Sequence, residues 1–330
     1  MKVTVLIINY KNWHDTIECL ESVFKSNHKD LEVIVVDNSP DNTSITKLEE
    51  WTKGALNVNQ TRYPELVFPE ITKPLECVLL SEEEFYTSQT TKLLTIVKAK
   101  NNNGFAAANN IFLKKKLQQK KTGEFVFLLN NDTVIPPDTI TNLIKNIKKE
   151  PKIGLAGCTL LEYNNSTKIQ SVGGVYSPFF GLTKQVLEGV SLEGLKALES
   201  KIKIDYPTGA AMFLSTEVLR TLGLLNEEYF LYFEELDWVK KGESQYQTTY
   251  FDDCFVYHKG GESIGSNKKS YISDKYSIIN RINFAKKHNK KFIATVYLGV
   301  FLAVFKRFLA LKFNRCFCLI KDLMKNENEN

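Results

Sequence analysis

The stretch FVFLLNNDTVIPPD, residues 125–138, shows how one buried strand of this chain ends. Five apolar residues run directly into Asn130, Asn131 and Asp132. A short, nearly continuous apolar run is typical of a strand that is buried on both faces. Because Asp and Asn are also common in turns and helix caps, the three polar residues become informative only if other strands end in the same way.

The same pattern occurs four times in the first half of the chain. Each predicted strand is followed by residues with the periodicity of an amphipathic helix, and the four strands lie at residues 3–8, 31–38, 92–99 and 124–129. This alternation predicts an α/β fold with a mostly parallel sheet and flanking helices. Ligands bind such sheets at the carboxyl ends of the strands. One site is therefore predicted at the polar strand ends, which are Asn9-Tyr10, Asp37-Asn38, Asn101 to Asn103 and Asn130 to Asp132.

The rest of the chain departs from the regular alternation of strands and helices. Residues 55–91 interrupt the alternation and predict an inserted subdomain or a long excursion. Strands and a hairpin are predicted at residues 153–162, 171–177, 205–215 and 248–261, and acidic residues open a helix within 230–242. The strand at 248–261 brings His258 to its end, and helical periodicity returns from about Tyr271.

Composition indicates a globular protein with an uneven charge distribution. The 330 residues are 43% hydrophobic and carry a net charge of +5, which is ordinary for a soluble chain. Residues 258–325 hold fifteen Lys or Arg against three acids, a net +12. Such a segment indicates a polyanionic partner, either an anionic membrane surface or nucleic acid. Because no nucleic-acid-binding motif is present, we expect no nucleic acid partner.

The cysteines and the N-terminus bear on location. Six cysteines are scattered along the chain, with neither a disulfide pattern nor a zinc pattern. We expect reduced thiols and therefore a cytoplasmic protein. The first residues, MKVTVLIINYKNW, lack the long apolar run and cleavage site of a signal peptide.

A second apolar run lies near the C-terminus. Residues 292–305 carry no charge over fourteen positions, which is shorter than the roughly 20 residues of a spanning helix. Basic flanks and aromatic residues favour a helix that lies in a membrane interface. The alternative is a C-terminal helix that packs on the core.

The phosphate-binding loops of other α/β proteins are missing. No G-x-G-x-x-G follows the first strand, and no G-x-x-x-x-G-K-[ST] occurs, which argues against a dinucleotide-dependent dehydrogenase and a P-loop enzyme. A strand-end carboxylate such as Asp132 can instead hold Mg²⁺ or Mn²⁺, and the metal can bridge a diphosphate.

An ordered set of motifs resembles family 2 glycosyltransferases, most closely the rhamnosyltransferase-type branch. The resemblance covers about residues 2–265 except the 55–91 segment. The motifs are VLIINYKNWHDTIECLESV, VIVVDNSPDN, NNNGFAAANN, FLLNNDTVIPPD, YPTGAAMFLS, LLNEEYFLYFEELDW and VYHKGG. Each is weak alone, but their order is specific to the family.

The resemblance implies a GT-A fold in residues 1–265, with a nucleotide-binding half at about 1–132 and an acceptor half at about 133–265. Residues 266–330 form a basic helical C-terminal region that we expect at a membrane surface. The implied contacts to the nucleotide or its sugar are Asn9, Tyr10, Asp37, Asn103, Gly104, Asn109 and Asn131. Gly104 also makes local sense, because glycine permits a close backbone approach or a positive φ.

The family's D-x-D motif maps to Asn130-Asn131-Asp132. Asp132 occupies the usual metal contact, while Asn130 replaces the first acid and offers only a neutral oxygen. The lost charge predicts weaker binding of Mg²⁺ or Mn²⁺. His258 matches a metal ligand of some relatives, although a lone histidine at a strand end is also a common structural hydrogen-bonder.

FEELDW matches the family's F-E-D-x-D motif, which contains the catalytic base. Glu235 occupies the usual base position, Glu234 is the second choice, and Asp237 is the later acid. Acids also favour the first turn of a helix through its dipole, so the assignment depends on the ordered motif set. A carboxylate there would take the proton of an attacking sugar hydroxyl.

The resemblance predicts an inverting glycosyltransferase. Its donor would be a nucleotide sugar such as dTDP-rhamnose or a UDP-sugar, and its acceptor a glycan or lipid-linked saccharide in surface polysaccharide synthesis. Location on the inner face of the cell membrane follows from the basic tail. One alternative is a catalytically silent nucleotide-sugar-binding module. A nucleotidyltransferase would need a basic glycine-rich loop after the first strand, and INYKNWHD is not one.

Overall fold

The computed structural model describes residues 1–89, 92–119, 121–260 and 270–329. Within these residues, ten strands form one sheet and two more form a separate hairpin. The strands are β1 Val3–Asn9, β2 Leu31–Asp37, β3 Cys77–Ser81, β4 Leu94–Lys98, β5 Phe125–Asn130, β6 Thr133–Val134, β7 Ile153–Glu162, β8 Asn165–Ser171, β9 Gly174–Ser177, β10 Leu182–Gln185, β11 Ala211–Ser215 and β12 Gln247–His258.

Helices follow most of the strands in the first half of the chain and dominate its C-terminal region. They are α1 Trp13–Phe24, α2 Thr43–Thr52, α3 Pro64–Val67, α4 Glu82–Thr87, α5 Gly104–Gln118, α6 Thr139–Lys149, α7 Leu192–Lys196, α8 Thr216–Leu222, α9 Glu234–Gly242, α10 Tyr271–His288, α11 Ile293–Leu309 and α12 Phe313–Glu329. A 3-10 turn, Lys290–Phe292, precedes α11.

The large sheet has the strand order β3-β4-β2-β1-β5-β11-β7-β12-β6, with β8 paired to β7. The first five strands are parallel to one another. β11 then runs antiparallel to both β5 and β7, and β12 runs parallel to β7. The predicted α/β class with a mostly parallel sheet, flanking helices and a helical C-terminal region is confirmed.

The buried strands are held between two layers of helices. Alternate residues of β1 point to opposite faces, as the two-residue period of a strand requires. Val5 and Ile7 belong to a core with residues of α1, α2 and α6, whereas Leu6 belongs to a core with residues of α5, α8 and α9. Both faces are covered, which explains the continuous apolar runs of these strands.

The register aligns the polar strand ends along one edge. Asn9 lies opposite Asp37, and Ile8 lies opposite Asn130. On the other side of β5, the Asn130 N–H donates to the carbonyl of Ala210, just before β11, at 2.9 Å. The end of β5 therefore lies beside the start of β11.

The excursion at 55–91 packs against the rest of the protein. β3 adds an edge strand to the sheet, and the preceding residues cross α1. The Thr61 hydroxyl donates to Glu18 at 2.5 Å, and the Ile71 N–H donates to Glu21 at 2.8 Å. Lys73 pairs with Glu21 at 2.7 Å. Because Glu18 and Glu21 are buried, these donors satisfy carboxylates that would otherwise be costly.

Gly104 lies at a close contact between the start of α5 and the chain before α9. Its φ is +93°, and a Cβ at this position would lie 2.3 Å from the carbonyl oxygen of Phe230. The next residue, Phe105, donates its N–H to that same oxygen at 2.9 Å. The structure confirms both expected reasons for glycine, since backbone conformation and space each exclude a side chain.

The C-terminal helices α10, α11 and α12 share a small core of their own. Residues Lys290–Leu309 form one 20-residue segment with mean hydropathy 1.8, of which 11% is buried, so its length and composition would allow it to cross a membrane. The segment is longer than the uncharged run of fourteen residues in the sequence, because it includes Lys290 and Lys291 before that run and Lys306–Leu309 after it.

We predict that Gly104→Ala lowers the free energy of unfolding by about 2 kcal/mol or more. A positive φ costs a non-glycine residue on the order of 1–2 kcal/mol, and the clash with Phe230 adds to it. Urea unfolding followed by circular dichroism measures the change. Gly123→Ala is the matched control, because Gly123 has φ +72° and a Cβ added there would meet no atom within 4 Å. Equal losses in both variants would contradict the proposed contact.

Candidate active site

Asn9 and Asp37 meet at the ends of β1 and β2. The Asn9 Nδ2 donates to Asp37 Oδ1 at 2.6 Å, and the Ser39 hydroxyl donates to the same oxygen at 2.6 Å. Lys98, at the end of β4, donates to the other carboxylate oxygen at 2.7 Å. Asp37 has no exposed surface. The structure thus brings these two predicted nucleotide contacts together as a buried, hydrogen-bonded group.

Tyr10 lies beside this group and is half-buried. The next residue, Lys11, has φ +64°, and its N–H donates to the Ser39 hydroxyl at 2.8 Å. The Lys11 ammonium lies 5.3 Å from the centre of the Tyr10 ring. The sharp turn after β1 therefore leaves an aromatic side chain at the edge of the sheet.

In the NNNG stretch before α5, the side chain that joins neighbouring elements is Asn102, which the family motif does not include. Asn102 accepts hydrogen bonds from Asn38 at 2.7 Å and from the Gly104 N–H at 3.1 Å, which joins the end of β2 to the start of α5. Asn103 is exposed. Asn109 is buried, and its amide donates to the Phe105 carbonyl in its own helix at 2.8 Å.

Asp132 and His258 come together from distant parts of the sequence. His258 Nε2 lies 3.2 Å from Asp132 Oδ1, and the Lys259 N–H donates to the Asp132 carbonyl at 3.0 Å. Asp132 and His258 are each at least 91% buried. Of the predicted metal ligands, these two are therefore adjacent.

The donor set fits a divalent cation. Two neighbouring ligands on an octahedral ion, each about 2.1 Å from it, lie about 3 Å apart, close to the separation of Asp132 and His258. Among the described residues, no group of three His, Cys, Asp or Glu side chains surrounds a candidate metal position. Mg²⁺ commonly binds one or two carboxylates and completes its shell with water and substrate phosphates, and imidazole is a good ligand for transition metals.

Asn131 and Asn130 differ in their surroundings. The Asn131 amide donates to the Thr16 hydroxyl at 3.0 Å and to the Asn12 carbonyl at 3.2 Å, which fixes the turn after β5 on α1. Asn130 is half-buried at the end of β5. Its backbone carbonyl accepts a hydrogen bond from Thr133 at 2.7 Å, so the turn leading to Asp132 is well defined.

Lys259 holds the strand end that carries His258. Its ammonium pairs with Asp15 at 2.5 Å and with Glu18 at 2.7 Å. Although burial lowers the pKa of Lys259, the two carboxylates raise it above its usual range. The charged lysine therefore ties the end of β12 to α1, close to Asp132.

Glu234 and Glu235 open α9 as two neighbouring carboxyl groups. Burial, followed by the charge of Glu235, raises the pKa of Glu234 well above its usual range. Glu235 is half-buried. Burial of its carboxyl group raises its pKa to about 7, against lowering contributions from its own backbone N–H, a hydrogen bond with the Glu234 side chain and the backbone N–H of Gly209. Within the described part of the chain, the buried Oε2 atom of each residue has no hydrogen-bond partner. Such an arrangement suits proton transfer near neutral pH.

The turn before α9 has an unusual backbone. Tyr232 and Phe233 have φ values of +70° and +76°, a conformation that costs energy in residues with side chains. Asn280 of α10 donates to the carbonyls of Leu231 and Tyr232, each at 2.9 Å. The Tyr232 hydroxyl also bonds Ser273 of α10 at 2.8 Å. The C-terminal region thus holds the turn that presents Glu234 and Glu235.

Asp237 faces α10. It lies 2.7 Å from His288 Nε2 and 2.8 Å from the Lys287 ammonium. Burial alone would raise the pKa of Asp237, but hydrogen bonds from His288 and Lys287 hold it below its usual range. These contacts favour a role in joining α9 to α10 over a role as the base.

The carboxyl pair and the metal pair lie along the same edge of the sheet. Gly209 lies beside Glu235, since a Cβ at Gly209 would lie 3.6 Å from Glu235 Oε1 and 3.8 Å from the ring of Phe105. The next residue, Ala210, accepts the hydrogen bond of Asn130. Two consecutive residues, Gly209 and Ala210, therefore connect Glu235 to the strand end that leads to Asp132.

A large cavity lies elsewhere. Its volume is about 670 Å³, and its lining includes Tyr176, Asp205, Val239, Lys240 and Asn289. None of the predicted site residues lines it. The candidate active site is instead the open edge at the carboxyl ends of the strands, as the position of ligands in α/β sheets would predict.

The model of the family described as "Glycosyl transferase family 2" matches residues 4–62 and 83–222. The chain belongs to this family. This match confirms the predicted family, and the enzyme class of the family is glycosyltransferase. The unmatched residues 63–82 fall inside the predicted 55–91 excursion. The elements α9, β12 and α10 lie beyond the matched range, and their residues also contribute to the candidate site. A search of curated proteins found no significant match.

Solved structures share the fold of this chain. GalNAc-T7, crystallised with UDP, GalNAc and Mn²⁺, has a TM-score of 0.57 and 14% identity over 89% of this chain, which spans about half (49%) of that protein. The mannosyltransferase PcManGT from Pyrobaculum calidifontis, in complex with GDP-Man and Mn²⁺, has a TM-score of 0.51 and 16% identity over 98% of this chain and 86% of its own. At these identities the likeness shows the GT-A fold.

We predict that Glu234→Gln becomes more stabilising as pH rises. Because its pKa is raised in the folded state, wild-type Glu234 favours folding less as pH increases above 4.5, by up to about 1.4 kcal/mol per pH unit until it ionises. Glutamine does not titrate. Urea unfolding at pH 5 and pH 8 measures the difference, with the exposed Glu193→Gln as control. A difference between variant and wild type that is the same at both pH values would contradict the raised pKa.

Proposed function

We propose that the protein is an inverting glycosyltransferase that moves a sugar from a nucleoside-diphosphate sugar to a hydroxyl of a glycan or lipid-linked saccharide. The observation that carries this proposal is the connection between two groups on one sheet edge. Glu235 is half-buried, and burial of its carboxyl group raises its pKa to about 7. It lies beside Gly209, and the next residue, Ala210, accepts a hydrogen bond from Asn130 at the strand end that leads to Asp132. A base and an anion-binding centre are the two parts that a single displacement needs.

Asp132 and His258 are the proposed ligands of a divalent cation, Mg²⁺ or Mn²⁺, and Asn130 is a proposed neutral ligand. When bound, the cation would neutralise charge on the donor diphosphate. The 3.2 Å separation of Asp132 and His258 supports this assignment. The replacement of an acid by Asn130 removes one negative charge, so we expect weaker cation binding than an acidic D-x-D motif would provide.

The proposed nucleotide contacts are Asn9, Tyr10, Asp37, Asn103, Gly104, Asn109 and Asn131. Of these, Tyr10 and Asn103 have the most accessible side chains. Asp37 bonds Asn9, Ser39 and Lys98, and we propose that it orients Asn9 and Lys98 at the donor pocket. The rhamnosyltransferase-like branch stays a prediction, and dTDP-rhamnose and UDP-sugars are the proposed donors.

The proposed chemistry is a single displacement. Glu235 removes the proton of the acceptor hydroxyl while that oxygen bonds to the anomeric carbon. The bond from the anomeric carbon to the donor phosphate oxygen breaks, and its electron pair leaves with the nucleoside diphosphate. Attack opposite the leaving group inverts the anomeric centre. The buried Glu234 lies beside the base, and its charged form is disfavoured, so it adds little negative charge there at neutral pH.

We also propose that the protein acts at the cytoplasmic face of a membrane, on a lipid-linked acceptor of surface polysaccharide synthesis. One face of α11 exposes Leu298, Phe301, Leu302, Phe305 and Phe308, each at least 44% exposed. These residues follow the spacing i, i+3, i+4, i+7, i+10, which places them on one helix face. Basic residues flank the face, and an anionic leaflet attracts such charges.

Contacts at both ends of α11 favour a helix that lies along the surface. Near its start, the Thr295 hydroxyl donates to the Phe179 carbonyl. Near its end, the Arg307 Nε donates to Asp274 of α10 at 2.7 Å. Phe179 and Asp274 both lie outside α11, in the part of the chain that precedes it. A helix fastened at each end in this way would have to break these bonds to span the bilayer.

We predict that the purified protein, given Mn²⁺, releases nucleoside diphosphate from one member of a donor panel that includes dTDP-rhamnose, UDP-sugars and GDP-mannose. Asp132→Ala and Glu235→Gln should each reduce release by at least about a hundredfold, because each removes one essential part. Asp138→Ala and Glu193→Gln are the exposed control substitutions. The wild-type rate should rise with pH through about 7, where Glu235 ionises.

Each other result has a distinct meaning. Unchanged release in Glu235→Gln would move the base to Glu234. Saturable donor binding by calorimetry without release, even with saccharide acceptors added, would support a nucleotide-sugar-binding module and contradict the proposed enzyme. Neither binding nor release with any donor would contradict the proposed substrate class.

We predict that the protein sediments with vesicles containing phosphatidylglycerol and much less with vesicles of phosphatidylcholine alone. The Phe301→Asp/Phe305→Asp variant should lose at least about tenfold in binding, since it places charge on the apolar face. Leu198→Asp, which alters a residue that is 38% exposed outside the tail, is the control. Equal sedimentation of wild type and the double variant would contradict the proposed surface.

A further inference from the structure

Gln170 of β8 contacts the ring nitrogen of His258 that faces away from Asp132. Gln170 Oε1 lies 2.5 Å from His258 Nδ1. The amide nitrogen of the same side chain donates to the His258 carbonyl at 3.5 Å. Because an amide has one acceptor and one donor end, the carbonyl of His258 favours the orientation in which the Gln170 oxygen faces Nδ1.

Gly260 makes room for this side chain. A Cβ at Gly260 would lie 2.6 Å from the Gln170 amide nitrogen, and its φ is +77°. The strand end after His258 therefore adopts a conformation that favours glycine, and the freed space is filled by the Gln170 amide. Two separate features, the hydrogen bond and the glycine, place Gln170 against the back of the histidine.

The Gln170 oxygen determines which ring nitrogen of His258 carries the proton. An oxygen at Nδ1 can only accept, so Nδ1 must carry a proton. In the neutral ring, Nε2 then has a lone pair, and this lone pair lies 3.2 Å from Asp132 Oδ1. Two electron-rich atoms at that distance require either a proton or a cation between them.

We propose that Gln170 is a positioning residue that holds His258 in the Nδ1-protonated form, with Nε2 directed at the cation shared with Asp132. The inference rests on the cation site of the proposed function. It adds that the site includes a residue from β8, outside the motifs that resemble the family. Neutral carbonyl partners of this kind commonly orient metal-binding histidines.

The first test reads the tautomer with excess Mg²⁺, a diamagnetic cation, because without a cation the contact between Nε2 and Asp132 would itself require a proton on Nε2. Long-range ¹H–¹⁵N spectra at about pH 8, where an ordinary imidazole is neutral, distinguish the two protonation sites, and His258→Ala identifies the signal among four histidines. We expect the Nδ1-protonated form in wild type and in Gln170→Glu, which keeps an acceptor. Gln170→Leu should show a mixture or the Nε2-protonated form. Gln247→Leu, at the far end of β12, is the matched control. An Nε2-protonated ring in wild type would overturn the proposal.

The second test measures Mn²⁺ affinity by electron paramagnetic resonance of the free ion. We expect Gln170→Leu to bind about 10–100-fold more weakly than wild type, while Gln170→Glu and Gln247→Leu bind at least as tightly. If Gln170→Leu is unfolded, Gln170→Glu and wild type still decide the tautomer. Wild-type affinity in folded Gln170→Leu would overturn the inference and leave the cation site intact. Absence of Mn²⁺ binding by wild type would overturn both the role of Gln170 and the proposed cation site, whatever the donor assay shows.

Discussion

The antiparallel pairing of β5 with β11 is the constraint on which the rest of the site depends. In the parallel part of the sheet, the carboxyl ends of β1, β2, β4 and β5 all reach the same edge. Because β11 runs in the opposite direction, its beginning lies at that edge as well, and Ala210 bonds Asn130 there. The residues just before β11 can then contact Glu235. Without the change of direction, α9 would have no short route to the strand ends.

Two kinds of carboxyl group can be distinguished around this edge. On α1, the buried Glu18 and Glu21 are matched by Lys259 and Lys73, so their charge is compensated within the fold. Glu234 and Glu235 have no such cation in the described structure, and they follow two residues with positive φ. Unfavourable electrostatics and unfavourable backbone geometry thus coincide at one turn. Such local cost is typical of functional sites, where the surrounding structure holds what the turn alone would not adopt.

Much of the fold could be predicted because it depends on local patterns. The apolar runs of β1, β2 and β5 and the polar residues that end them are neighbours in sequence, and the edge follows from their parallel pairing. Contacts between distant segments could not be predicted in this way. Lys98 is 61 residues from Asp37, and Gln170 is 88 residues from His258. Each is an ordinary polar residue until the register is known. The sequence predicts a helical tail from about Tyr271, but the pairing of Arg307 with Asp274, 33 residues apart, could not be predicted from it.

The contacts of α10 have a consequence for how the protein can be divided. The motif resemblance ends at about residue 265, so an experimenter who sought a smaller soluble fragment would naturally cut there. Such a cut would remove Asn280 from the turn at Tyr232. It would also remove Lys287 and His288 from Asp237, leaving a buried carboxylate without its cationic partner Lys287. A cut after His288 would instead spare these bonds, but it would remove α11 and α12 and with them Arg307, which pairs with the buried Asp274 of α10. The practical boundary of a catalytic fragment thus lies at least one helix later than the family motifs indicate.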